Sequence, residues 1–78
     1  MTREEIIIIL NDIFSDVFDE DIEVFDEMTA EDIEDWDSLE QMNLITAIQE
    51  KFSVKFHVED IVDLEKVGDM IDLIQKKV

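Results

Sequence analysis

Apolar residues recur three and four places apart along three stretches of this chain, and that spacing most narrows what it can fold into. In the first stretch, Ile6, Ile9, Leu10, Ile13, Phe14 and Val17 form one broad stripe. The four consecutive isoleucines from Ile6 to Ile9 would suit a strand if taken alone. Thr2-Arg3-Glu4-Glu5, just ahead of them, reads instead as a capping box. Cap and period together predict a helix over residues 3–17. A second helix is expected from Ser38 to about Lys51. Leu44, Ile48 and Phe52 make its core stripe, with Leu39, Ile45 and Ala47 near it and Met42 and Thr46 on an exposed flank. A short connection over 53–57 leads to a brief helix over 58–63, with Ile61 and Leu64 facing inward. The last helix starts near Glu65–Lys66, buries Val67, Met70, Ile71 and Ile74, and ends on Lys76-Lys77, a pair that suits a helix C-terminus. Gly68 is the only glycine. It falls early in that helix, where a close backbone approach accounts for it.

Residues 18–37 form a long acidic connection, which a small domain tolerates only when the loop is packed or functional. Ile22, Val24, Phe25, Met28 and Ile33 are spaced through it, so it is expected to fold back over the bundle. Thr29 to Asp32 can cap a short helical turn within it. The predicted fold is therefore all-α: a small bundle of three main helices and one short one, with a long first loop, in a single domain over 1–78. With 78 residues and no cysteine, disulfides and thiolate metal sites are excluded, so stability depends on helix packing. The 46% hydrophobic content argues for a folded chain over an acidic tail.

Charge restricts the partners. Twenty-three acids against six bases give −17, which disfavours nucleic acid and anionic membrane and favours basic protein partners. Residues 1–40 hold 16 acids and one base, Arg3. Acidic runs such as Asp19-Glu20-Asp21 lack the spacing and the glycine of a calcium-binding loop, so they read as solvated faces and no metal site is assigned. No apolar run is long enough to span a membrane and no signal-peptide pattern opens the chain, so a monomer in the cytoplasm is expected.

Candidate chemistry concentrates at Glu34-Asp35-Trp36-Asp37-Ser38-Leu39. Asp37 and Glu40 make a D-x-x-E cap in which Asp37 accepts from an orphan backbone N–H and Glu40 reaches back. Ser38 then lies in the first turn with its hydroxyl outward, where unpaired N–H groups and the helix dipole favour an anion such as a phosphate ester. A serine nucleophile in an enzyme lacks its parts. His57 is the only histidine, and neither a G-x-S-x-G elbow nor a glycine-rich oxyanion loop is present.

Asp37-Ser38-Leu39, followed by Met42, Leu44-Ile45, Ala47-Ile48 and Phe52, resembles the acyl carrier proteins. Chain length, acidity and the long first loop fit the same family along nearly the whole chain. The resemblance implies a specialised stand-alone carrier, not an enzyme. Ser38 would bear a 4′-phosphopantetheine arm whose thiol holds acyl groups as thioesters. Asp37 and Leu39 would flank it in the surface read by a phosphopantetheinyl transferase. The helix after Ser38 would be the docking face for acyl-loading and acyl-processing enzymes with basic patches. Glu40, Met42, Asn43, Thr46, Gln49 and Glu50 stand at the matching positions, and Trp36 either packs on the bundle end or contacts partners. The sequence departs from the family in two ways. Asp35 stands where many carriers have glycine, and Asn43 and Gln49 stand where fatty-acid-synthesis carriers commonly have glutamates, which implies a dedicated partner set. Two alternatives are an aminoacyl or peptidyl carrier, including a D-alanyl carrier, and an acidic helical adaptor that is never modified.

Overall fold

In the computed structural model, which describes residues 1–78, four α-helices and one 3-10 turn follow one another: α1 (Arg3–Phe18), the 3-10 turn (Ala30–Asp32), α2 (Ser38–Phe52), α3 (Val58–Val62) and α4 (Val67–Lys77). The all-α bundle expected from the apolar spacing is the one observed. α1 opens on its capping box: the Glu5 N–H donates to Thr2 Oγ1 at 3.2 Å and the Thr2 N–H donates to Glu5 Oε1 at 3.0 Å. The second bond holds the Glu5 carboxyl below its ordinary pKa, since a carboxylate accepting a backbone N–H favours its charged form. The 3-10 turn is capped the same way by Thr29 and Asp32.

α1 runs one residue beyond the predicted end. Phe18 is buried, and the helix stops because Asp19 turns left-handed at φ 53°. The amides of Asp19 and Glu20 both donate to the Ser15 carbonyl. α2 closes identically on Ser53, at φ 54°, with Ser53 and Val54 donating to the Gln49 carbonyl. Neither cap is a glycine, so the usual stop signal is missing from the sequence.

α1 packs against both α2 and α4. Ile6, Leu10 and Phe14 meet Leu44, Ile45 and Ile48 of α2 and Val67, Ile71 and Ile74 of α4 in one core. Full burial of each such side chain contributes roughly 1.5–3 kcal/mol. Three residues of the predicted α1 and α2 stripes sit differently from their expected places: Ile9 and Val17 are only half-buried, and Leu39 is 69% exposed. Leu39 lies well round the helix from Leu44 and Ile48, so its hydrophobicity overstates its burial.

The long loop is packed, as its apolar residues predict, with Val24, Met28 and Ile33 in the same core; Phe25 alone turns outward. It is also sewn down by hydrogen bonds. On one side, the Ile22 amide donates to Ser15 Oγ at 3.1 Å and the Val24 amide to Asn11 Oδ1 at 2.8 Å. On the other, the first amides of α4 donate into the loop, Val67 N–H to the Met28 carbonyl and Gly68 N–H to the Asp26 carbonyl, each at 2.9 Å. A Cβ on Gly68 would lie 3.0 Å from that Asp26 oxygen, a close approach that favours glycine. Arg3 completes the seam by forking to Asp26 Oδ2 at 2.8 Å and Asp72 Oδ1 at 2.7 Å. No helix is long and apolar enough to cross a membrane.

Candidate functional site: the loop-to-α2 turn and its groove

The turn that delivers Ser38 is built on Trp36. Its indole is half-buried, set edge-on to Phe14 with ring centres 5.4 Å apart at 84°, and 6.1 Å from Phe18. Edge-to-face contacts of this kind add to plain area burial. The indole Nε1–H donates to Gln41 Oε1 at 2.7 Å, so Trp36 is tied to α2 one turn past Ser38. Of the two readings left open for Trp36, the structure places it in packing contact with the bundle.

Asp37 is the α2 N-cap. Its Oδ1 accepts the Glu40 N–H at 2.9 Å, and its carbonyl accepts the Gln41 N–H at 2.9 Å. The reciprocal half of the expected capping box does not form. Glu40 Oε1 accepts instead from Asn43 Nδ2 at 3.0 Å, while the Asp37 N–H donates to the Asp35 carbonyl at 3.1 Å. The tight turn at Asp35 satisfies the donor that Glu40 would have taken.

Ser38 is the first residue of α2 and is exposed, and its hydroxyl makes no hydrogen bond within the chain. The Ser38 and Leu39 amides likewise have no protein acceptor. A phosphate ester on Ser38 fits this position: the oxygen is free and accessible, and the helix end offers donors and positive potential.

Beside Ser38 lies a groove of about 570 Å³, between the loop and α2 on one side and α3 and the start of α4 on the other. Trp36, Met42, Ile61, Leu64 and Met70 supply its apolar lining, and Asp37, Glu65 and Lys66 also line it. Another groove, of about 590 Å³, lies between α3 and α4, is lined by four aspartates and does not include Ser38. No group of three or more histidine, aspartate or glutamate side chains is arranged to hold a metal ion.

The expected docking residues divide. Met42, Asn43, Thr46 and Glu50 are exposed on α2, and Glu40 is partly so; Leu39, expected beside the attachment residue, is exposed on the same helix. Gln49 is half-buried, and its Oε1 accepts the Phe56 N–H at 2.8 Å, which ties down the connection after α2. His57 is an exposed N-cap for α3 whose amide donates to Asp60 Oδ2 at 3.0 Å. That bond holds the Asp60 carboxyl below its ordinary pKa; partial desolvation opposes it, and Lys77 at 3.5 Å assists.

Sequence reasoning missed Gln41, Ile61, Leu64, Lys66 and Met70 as neighbours of Ser38. Ile61, Leu64 and Met70 carried a signal only as core residues, and Lys66 carried none, because the groove joins segments nearly thirty residues apart in the chain.

Residues 9–74 match the family described as "Phosphopantetheine attachment site". The chain is 38% identical over 76 residues to the meromycolate extension acyl carrier protein of Mycolicibacterium smegmatis, covering 96% of this chain and 77% of that protein. It is 30% identical over 78 residues to an acyl carrier protein of Exiguobacterium sp., across 99% of each. The solution NMR structure of holo acyl carrier protein from Geobacter metallireducens superposes with a TM-score of 0.86 at 42% identity, covering 91% of this chain and 83% of that one.

Proposed function

This chain belongs to the acyl carrier protein family, whose members are carriers and not enzymes, and on that footing we propose that Ser38 is its attachment residue for the covalent 4′-phosphopantetheine arm. When bound, the arm supplies a terminal thiol that holds acyl groups as thioesters. The observation that carries the assignment is the accessible, unpartnered Ser38 hydroxyl at the first position of α2.

In the loading step, Ser38 Oγ attacks the phosphorus of coenzyme A that bears pantetheine. A new P–O ester bond forms, the bond to the adenosine bisphosphate breaks, and the serine proton passes to a base of the transferase. Asp37 holds the attacking residue in place by capping α2, and Trp36 holds the preceding turn against Phe14. Leu39, exposed beside Ser38, gives the transferase an apolar contact.

The docking face for acyl-loading and acyl-processing enzymes comprises Leu39, Met42, Asn43, Thr46 and Glu50, with Glu40 at its edge. Two exposed apolar side chains in an acidic surround suit a basic patch with an apolar centre. Trp36 and Gln49 act on this face through the packing they stabilise. Gln49 is neutral for an internal reason, since it serves the Phe56 amide, and Asn43 is bonded to Glu40. The two amides therefore weigh less toward a dedicated partner set than their positions alone suggest. Acyl cargo is favoured over aminoacyl cargo because both curated relatives are named as acyl carriers.

Incubation with coenzyme A and a broad-specificity phosphopantetheinyl transferase tests the assignment by intact mass. Wild type is expected to gain one phosphopantetheinyl group and Ser38→Ala none. Wild type that stays at its unloaded mass leaves the unmodified adaptor as the better reading, and loading of Ser38→Ala moves the attachment elsewhere.

A further inference from the structure

Of the six basic residues, one lines the groove that contains Ser38. Arg3 is engaged by Asp26 and Asp72, and Lys77 by Asp60. Lys51 and Lys76 line other grooves, and Lys55 lines none. Lys66 makes no ion pair even though the chain carries 23 acids. Its side chain starts from a fixed point. Lys66 is the N-cap of α4, its amide donates to Asp69 Oδ2 at 3.3 Å, and its carbonyl accepts from the Asp69 and Met70 amides. The next two amides are bonded to the first loop, so this corner is held rigidly against the segment that leads to Ser38.

A phosphodiester on Ser38 adds a negative charge to a chain already at −17, beside Asp35, Asp37 and Glu40. Asp37 is committed to capping α2, and Glu65, the other acid in the groove, adds repulsion. Lys66 therefore supplies the only side-chain cation in the groove for a phosphate placed there. A flexible stem ending in a hydrated point charge suits a phosphodiester that stays in solvent.

We propose that Lys66 is a positioning residue for the arm: its ammonium group meets the phosphodiester on Ser38 across the groove and biases the arm toward the apolar wall formed by Ile61, Leu64 and Met70. This rests on Ser38 being the attachment residue. The contact joins the α3–α4 corner to α2 only once the arm is present, so the loaded and unloaded proteins differ in what holds that corner.

The test is phosphorus-31 NMR of the loaded protein, with loading established first by intact mass. Wild type, Lys66→Gln, Lys66→Arg and Lys55→Gln are compared at low salt and at high salt. At low salt the phosphodiester resonance of Lys66→Gln is expected to lie more than a linewidth from wild type. Lys66→Arg is expected to move back toward wild type and Lys55→Gln to coincide with it. High salt is expected to merge the Lys66→Gln and wild-type resonances, because screening at about 1 M reaches down to roughly 3 Å. Superimposed low-salt resonances of wild type and Lys66→Gln in fully loaded protein overturn the Lys66 contact alone. Failure of the wild type to gain the arm's mass overturns the Ser38 assignment, and the Lys66 contact with it.

Discussion

Asp19 closes α1 in the left-handed region, at φ 53° and ψ 43°, with no glycine to relieve the conformation. For an L-residue that region costs about 1–2 kcal/mol, with aspartate toward the low end. Its side chain is exposed and makes no hydrogen bond or ion pair, so removing it loses neither. The carboxylate also stands at the negative end of a helix whose last turn has no basic residue. That placement costs about 0.3–1 kcal/mol at low ionic strength. Asp19→Gly removes both penalties, against about 0.4–1 kcal/mol of added unfolded-chain entropy. The balance is a stabilisation of about 1 kcal/mol, or roughly 4–8 °C in melting temperature for a domain of this size. Circular-dichroism melts of wild type, Asp19→Gly and Asp19→Asn, at low and high salt, separate the two parts. Asparagine should show only the charge component, and that gain should shrink in high salt; glycine should keep the backbone component at both. Ser53→Gly isolates the backbone part at the end of α2, where no side-chain charge is removed. A glycine variant at position 19 that melts at or below wild type at both salt concentrations would refute the account.

Gln49→Ala should lower stability by about 0.5–1.5 kcal/mol, the net worth of one ordinary hydrogen bond, because the half-buried Phe56 amide loses its acceptor. Loading of Ser38, followed by mass, should be unaffected, and an unchanged melting temperature would show that the bond contributes nothing. The Glu5 carboxyl is held below its ordinary value by the Thr2 amide, so its contribution is fully present above the unfolded pKa of about 4.3 and is lost as pH falls through the lower folded value. Melts of wild type and Glu5→Gln should therefore differ most near neutral pH and converge only on acidification below the ordinary glutamate range. A gap that widens on acidification would reverse the sign assigned to this cap.

What could be read from the sequence followed from local rules. Thr2, Thr29 and Asp37 announce helix or turn starts because an N-cap is a side chain bonding its own neighbours, and all three form. Helix ends were less legible, since both left-handed caps fall on residues that ordinarily give no stop signal. That is why Phe18 was expected in the loop when it belongs to the core beside Trp36. Leu39 shows the limit of hydrophobicity without phase. The pairing of Glu40 with Asn43 shows another, because two acceptable partners three residues apart compete and only geometry decides.

The groove beside Ser38 was not legible at all, and the reason is topological. Its two walls come from the loop–α2 turn and from the α3–α4 corner, and what aligns them is backbone bonding between Asp26–Met28 and Val67–Gly68. Carbonyls and amides carry no side-chain identity, so only Gly68 leaves a trace, as a residue whose Cβ would crowd Asp26. The same seam fixes the direction from which Lys66 emerges. Displacing it should change the arm's surroundings without touching Ser38, because the seam holds the far wall of the groove and Asp37 independently holds the near one.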